Sequence, residues 1–367
     1  MKSNTFLVCA LLTLLLGGWL SGCEEYDDGS FTPQVIAEPT VPEDTSYTVE
    51  DPCLTSSCAL QTLTLAGDRG TPFEQLFYSN YDLLREDAIW GTMTSAVIVV
   101  HGANRNGNEY FNWMTNAVLA LDKSNETVIV APQFQLQDDV GSNEQMLYWS
   151  SQGWRRGFQS LNIAATKYST FDVVDSMVAL LADPVRFPNM RHIVITGHSA
   201  GAQFTNLYAA ASPMEDSLAD IEVQYLVANS QYFFYPGPER WDPGAGQFAV
   251  PSGCADYQTW PYGTEQAPDY AARFSAQDLR ERFVSRRLTF LLGTLDLLTS
   301  GTLNTRDCEA TLLGDNRFDR GEKIVDYVNA FFPDNNHQKV LVDNVGHDAA
   351  RMYNSPNGLV TLEGMLD

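Results

Sequence analysis

Apolar residues change their spacing repeatedly along this chain. From Cys53 onward, short runs of β-branched and aliphatic residues alternate with stretches whose apolar positions recur every three or four residues. Residues 60–65 and 75–84 read as two early strands in an antiparallel arrangement. Residues 96–100, 127–130, 192–196, 225–228, 288–292 and 339–342 are apolar enough to be strands buried on both faces. Residues 110–121, 171–181, 200–211 and 320–331 have helical spacing. Short buried strands alternating with helices predict an α/β fold, with a mostly parallel central sheet and helices on both faces. The stretch from about 233 to 277 breaks the alternation. Rich in Pro, Gly and aromatic residues, it predicts an insertion over the sheet edge and the site.

The first 52 residues have a different pattern. Lys2 precedes an apolar run over residues 5–20, too short for a comfortable membrane span and typical of an export signal. The run ends in Leu20-Ser21-Gly22-Cys23, which resembles the lipobox of bacterial lipoproteins. That resemblance implies cleavage before Cys23 and acylation of its thiol. Several acyl chains, each worth about 0.8 kcal/mol per buried methylene, would hold the protein on a membrane. Glu24 in the next position, rather than Asp, resembles an outer-membrane destination. Residues 23–52 contain nine acidic residues and recurrent prolines but no Lys or Arg, so they predict a solvated tether. The expected organisation is a signal over 1–22, a tether over 23–52 and one catalytic domain over 53–367.

The whole chain has 367 residues, 46 Asp plus Glu against 22 Lys plus Arg, and a net charge of −24. That balance argues against a nucleic-acid partner, since phosphate contacts need clustered cations. No His/Cys cluster has zinc spacing, and the acidic stretches 138–139 and 315–322 do not follow EF-hand spacing, so no metal is expected.

The candidate chemistry centres on Gly197-His198-Ser199-Ala200-Gly201, a GxSxG motif between a predicted strand and a small-residue helix. A tight turn there exposes the Ser199 hydroxyl, and the flanking glycines remove clashes around a strained backbone. The serine needs a base downstream. Among five histidines, His337 and His347 qualify by order, and His347 is favoured by its place in a loop after the last strand. Asp296, just past the strand at 288–292, is the favoured acid. Its rivals Asp307, Asp315 and Asp319 read better as loop or cap residues. The backbone amides of Ala200 and Ala103, with Asn104 as second choice, are the expected oxyanion donors. His101 reads as a packed strand-end residue.

These residues resemble the α/β-hydrolase superfamily from about Ala96 to the C-terminus. The runs His101–Asn106, Phe187-Pro188-Asn189, Val227-Ala228-Asn229, Asp307–Ala310, Asn316–Gly321 and Gly346–Ala349 look like one exported group. Its layout is similar to that of polyhydroxybutyrate depolymerases and feruloyl esterases. The resemblance implies carboxylic-ester hydrolysis without metal or cofactor. An amidase or peptidase would use the same triad, and a non-catalytic surface-binding lipoprotein would use the fold alone. The expected partner is an ester, polymeric or aromatic, and Trp149 and Trp154 are candidates to stack on it. The four cysteines left after Cys9 and Cys23 allow three pairings. The favoured one joins Cys53 to Cys58 and Cys254 to Cys308, pinning the insertion to the loop after Asp296.

Overall fold

Residues 46–218 and 220–367 are described in a computed structural model of the chain. The predicted signal, Cys23 and the tether up to residue 45 lie outside the described residues. Packing against the body begins earlier than the predicted boundary at residue 52. The Thr48 amide donates to the Ile89 carbonyl (2.7 Å), and the Tyr47 ring lies against Gly91.

The main sheet has eight strands: β1 (Leu60–Leu65), β2 (Phe73–Ser79), β3 (Ser95–Val100), β4 (Thr127–Pro132), β5 (His192–His198), β6 (Glu222–Ala228), β7 (Arg287–Gly293) and β8 (Gln338–Val342). Their spatial order is β1-β2-β4-β3-β5-β6-β7-β8. As the early apolar runs predicted, β1 and β2 are antiparallel, and all pairs from β4 to β8 are parallel. The predicted strand 75–84 ends at Ser79 for an identifiable reason. The Asn80 side chain accepts from the Ile129 amide and donates to the Thr127 carbonyl, taking the place of a strand partner on β4.

Among the described residues, seven helices longer than one turn cover the sheet: α1 (Gly107–Ala120), α2 (Thr170–Leu181), α3 (Ala200–Ala211), α4 (Ala276–Ser285), α5 (Arg317–Phe331), α6 (Ala349–Asn354) and α7 (Pro356–Leu366). Successive strand residues point to opposite faces. Ile98, Val130, Ile195 and Phe290 therefore pack with α2, α3, α4 and α5, whereas Val97, Ile129, Val194 and Leu291 pack with α1, α6 and α7. Capping sets where several helices start. Ser169 and Asp172 form a capping box on α2, as Ser275 and Asp278 do on α4. The Asn316 side chain accepts from the Asp319 amide, so α5 starts at Arg317, three residues before the predicted boundary. The insertion contains a small hairpin, Arg240–Asp242 with Gln247–Ala249, and runs otherwise irregularly to the cap of α4. Both favoured disulfides are present, Cys53–Cys58 and Cys254–Cys308. Among the described residues no helix is long and apolar enough to cross a membrane.

Candidate active site

Ser199 occupies the turn between β5 and α3 with φ 59° and ψ −111°, a backbone conformation disfavoured for a residue with a side chain. The neighbouring glycines make this turn possible. A Cβ on Gly201 would lie 2.2 Å from the Val100 carbonyl oxygen, and one on Gly197 would lie 2.3 Å from the Gly201 carbonyl carbon. The turn is held against the sheet by the Ser199 amide, which donates to the Ala228 carbonyl (3.0 Å).

Two loops face the turn from the carboxyl ends of β7 and β8. His347 Nε2 is 2.9 Å from Ser199 Oγ, and His347 Nδ1 is 2.7 Å from Asp296 Oδ2. A carboxylate only accepts, so the proton lies on Nδ1 and Nε2 is free to accept from the hydroxyl. The Asp296 carboxylate is shielded from solvent, whereas His347 keeps about a quarter of its side chain exposed. The rivals named from the sequence stand elsewhere. His337 Nε2 bonds to the Phe283 carbonyl, Asp319 bonds to the Asp315 amide and Asp307 to the Asn304 side chain.

Two residues that sequence reasoning did not assign a role hold these loops. Asn229 follows β6 at φ 49°. Its side chain donates to the Gly346 carbonyl (3.0 Å) beside His347 and accepts from the Gly293 amide (2.8 Å) at the end of β7. It thus ties the His347 loop to the Asp296 loop. Arg317, buried at the start of α5, places Nη1 3.9 Å from Asp296 Oδ1, the oxygen that lacks a hydrogen bond. Burial pulls the guanidinium pKa down and Asp296 opposes that pull. Both residues lie in runs that carry the family resemblance, which was the only sequence signal for them.

Two further imidazoles surround the site, and burial disfavours the charged form of both. The His198 ring is 4.5 Å from the His347 ring, and its pKa is pushed well below the usual range by burial, then by His347 and Arg317. Burial brings His101 down to about 4. His101 Nε2 accepts from the Phe134 amide, so Nδ1–H donates to the Gly102 carbonyl, as the Arg105 amide also does (3.0 Å each). In a trans peptide the carbonyl and the following N–H point in opposite directions. Fixing the Gly102 oxygen therefore fixes the Ala103 N–H on the other side, in an exposed turn that includes Asn104. Ala200 is the first residue of α3, where an amide has no helical carbonyl to donate to.

The tryptophans correct the sequence reading. Trp149 and Trp154 are each 1% exposed and offer no face to a substrate. Trp149 Nε1 donates to the Tyr168 carbonyl, and the Trp154 ring packs 4.6 Å from His101 and 6.0 Å from Phe134. The loop after β4 folds back on itself, with the Ser160 amide donating to the Tyr168 carbonyl (2.8 Å), and the Trp149 ring packs 5.4 Å from Phe134. Cys254, Cys308 and Glu309 are the one group of metal-type donors brought together among the described residues. Its two sulfurs are joined in the disulfide.

No family model matches the sequence, and no curated protein does. Solved structures do. Poly(aspartic acid) hydrolase-1 from Sphingomonas sp. KT-1 is similar at a TM-score of 0.55 and 18% identity, over 84% of this chain and 98% of that one. A poly(3-hydroxybutyrate) depolymerase from Bordetella parapertussis is similar at 0.56 and 18%, over 84% of this chain and 94% of that one. With the sheet order above, these likenesses show the α/β-hydrolase fold.

Proposed function

We propose that this chain is a serine hydrolase that cleaves carboxylic esters through an acyl-enzyme. The observation that carries the reading is His347 hydrogen-bonded at once to Ser199 (2.9 Å) and Asp296 (2.7 Å). Ser199 Oγ attacks the ester carbonyl and passes its proton to His347 Nε2. Asp296, itself still ionised, holds the ring and stabilises the imidazolium that forms. Negative charge growing on the carbonyl oxygen is met by the amides of Ala200 and Ala103. The intermediate collapses, the alcohol leaves with the proton from His347, and water then enters by the same base to release the acid. An ester, polymeric or aromatic, is the proposed substrate.

Ser199→Ala removes only an oxygen and should abolish hydrolysis of short p-nitrophenyl esters and labelling by a fluorophosphonate, with the thermal transition nearly unmoved. Retained turnover would remove the nucleophile assignment. We also propose that the protein is exported and anchored through a lipidated Cys23, at the outer membrane. Cys23→Ser should then shift it from the membrane fraction to the soluble one with its esterase activity intact, and an unchanged distribution would rule the anchor out.

A further inference from the structure

Two consecutive arginines end the single turn Trp154–Arg156, which packs against α3, the helix that follows Ser199. In a chain with 46 acidic and 22 basic residues, an arginine drawn away from water should find a carboxylate easily. Among the described residues, neither Arg155 nor Arg156 has one within ion-pair distance, although other arginines such as Arg85, Arg105, Arg282, Arg286 and Arg287 do. The Arg155 guanidinium bonds only to the side-chain oxygen of Gln152. Arg156 Nε is shielded from solvent without a partner. Both side chains are half-buried. Burial lowers the Arg155 pKa, and the neighbouring Arg156 lowers it further.

Buried polar groups are normally satisfied, so a half-buried arginine pair without a carboxylate points to an anionic ligand that completes it. The turn is held close to the proposed site. The Trp154 ring packs on His101, the residue before the Gly102–Ala103 peptide, and Trp260 Nε1 donates to the Arg156 carbonyl (2.8 Å).

We propose that Arg155 and Arg156 form an anion-recognition subsite beside Ser199, selecting esters that carry a carboxylate on the acyl group. The inference rests on the ester-hydrolase reading above and narrows its substrate class to acid-terminated acyl chains. A guanidinium suits this task because its planar fork meets a carboxylate through two parallel hydrogen bonds and stays charged when partly desolvated.

The test compares p-nitrophenyl hexanoate with mono-p-nitrophenyl adipate, in which a carboxylate replaces the terminal methyl group, on the full chain at low ionic strength. The adipate ester should be preferred at least tenfold in kcat/KM, with the preference shrinking as salt rises. R155Q/R156Q should lower the adipate-to-hexanoate ratio at least tenfold, mainly through KM, and R155K/R156K should recover part of it. Should the glutamine variant fail to fold, wild-type protein gives a second readout. Adipate should slow fluorophosphonate labelling, and hexane-1,6-diol should not. A wild-type preference for hexanoate, an unaltered ratio in the folded variant, or absent protection by adipate would overturn the subsite. Hexanoate turnover without adipate preference counts against this inference alone, whereas neither turnover nor labelling takes the hydrolase reading down with it.

Discussion

The turn that carries Ser199 and the two loops that face it are held by different physics. Between Gly197 and Gly201 contact dominates, with one backbone hydrogen bond from Ser199 to Ala228 holding the turn to the sheet. Within five residues the backbone reverses so tightly that a single added carbon would meet carbonyl atoms at 2.2–2.3 Å. Across the cleft, Asp296 and His347 are 51 residues apart, and hydrogen bonds bring them together. Asn229 bonds to both loops, and Arg317 stands beside the unpaired oxygen of the acid. The turn is therefore fixed by what cannot fit there, and the loops by what a third segment supplies. Damage to the first should be structural and severe, and damage to the second should be graded and visible mainly in turnover.

The sharpest test of the contact half is Gly201→Ala. Its methyl group would meet the Val100 and His101 carbonyl oxygens at 2.2 and 2.7 Å, both backbone atoms that cannot move without shifting β3. Overpacking of this kind costs on the order of 3 kcal/mol, and more where backbone must yield. We expect a fall in Tm of several degrees or loss of soluble protein, with ester turnover reduced more than a hundredfold. Calorimetry beside a p-nitrophenyl acetate assay checks both, and a variant with native Tm and turnover would show that the turn has room.

The hydrogen-bonded half is probed by Asn229→Gly. Glycine tolerates the φ of 49°, so the substitution removes the side-chain tie without adding backbone strain. The acid and base loops would lose their shared partner. Turnover should fall roughly ten- to a hundredfold through kcat, with KM little changed, because a base displaced by an ångström no longer meets the serine proton. Asn229→Asp separates the two bonds, since it keeps the acceptor for Gly293 and loses the donor to Gly346. It should fall between wild type and Asn229→Gly. An unchanged kcat in Asn229→Gly would mean that the loops hold themselves.

The same division decides what the sequence made legible. Ser199 could be read because its constraint is local, with strand, two glycines and helix all contiguous. Asp296 and His347 followed from strand ends and chain order, and the presence of a mostly parallel central sheet followed from apolar runs. Asn229 and Arg317 received no role because nothing near them in the chain marks the loops they hold. Trp149 and Trp154 misled for the converse reason. Two aromatics in a Gly- and Ser-containing loop look available to a ligand, yet both pack on Phe134, and Trp154 packs on His101, contacts that loop composition does not record. The start of α5 was placed late because the Asn316 cap is a side-chain contact that apolar spacing does not record.

The smallest expected effect separates the pH dependence of stability from that of activity. His337 lies at the amino end of β8, away from the Ser199 turn, packed against Phe283 with Nε2 on the Phe283 carbonyl (2.7 Å). Burial lowers its pKa from 6.5 to about 4, with that carbonyl bond working weakly the other way. Between those values the unfolded chain takes a proton that the folded chain refuses. The stability His337 protects is therefore complete above pH 6.5 and is lost as pH falls towards 4. His101 and His198 push in the same direction, while Asp172, Asp175 and Glu215, whose pKa values burial raises, push in the opposite one. The total slope is thus a balance, and a single substitution isolates one contribution. His337→Gln keeps a donor for the Phe283 carbonyl but does not titrate. Its Tm should fall less than wild type between pH 6.5 and 4, by a few degrees at the acid end. Because His337 is remote from Ser199, the acid limb of ester turnover should stay where it is in wild type. Parallel melting curves and pH–rate profiles read both, and a shift of the activity limb in this variant would mean that the two ends of the sheet are coupled.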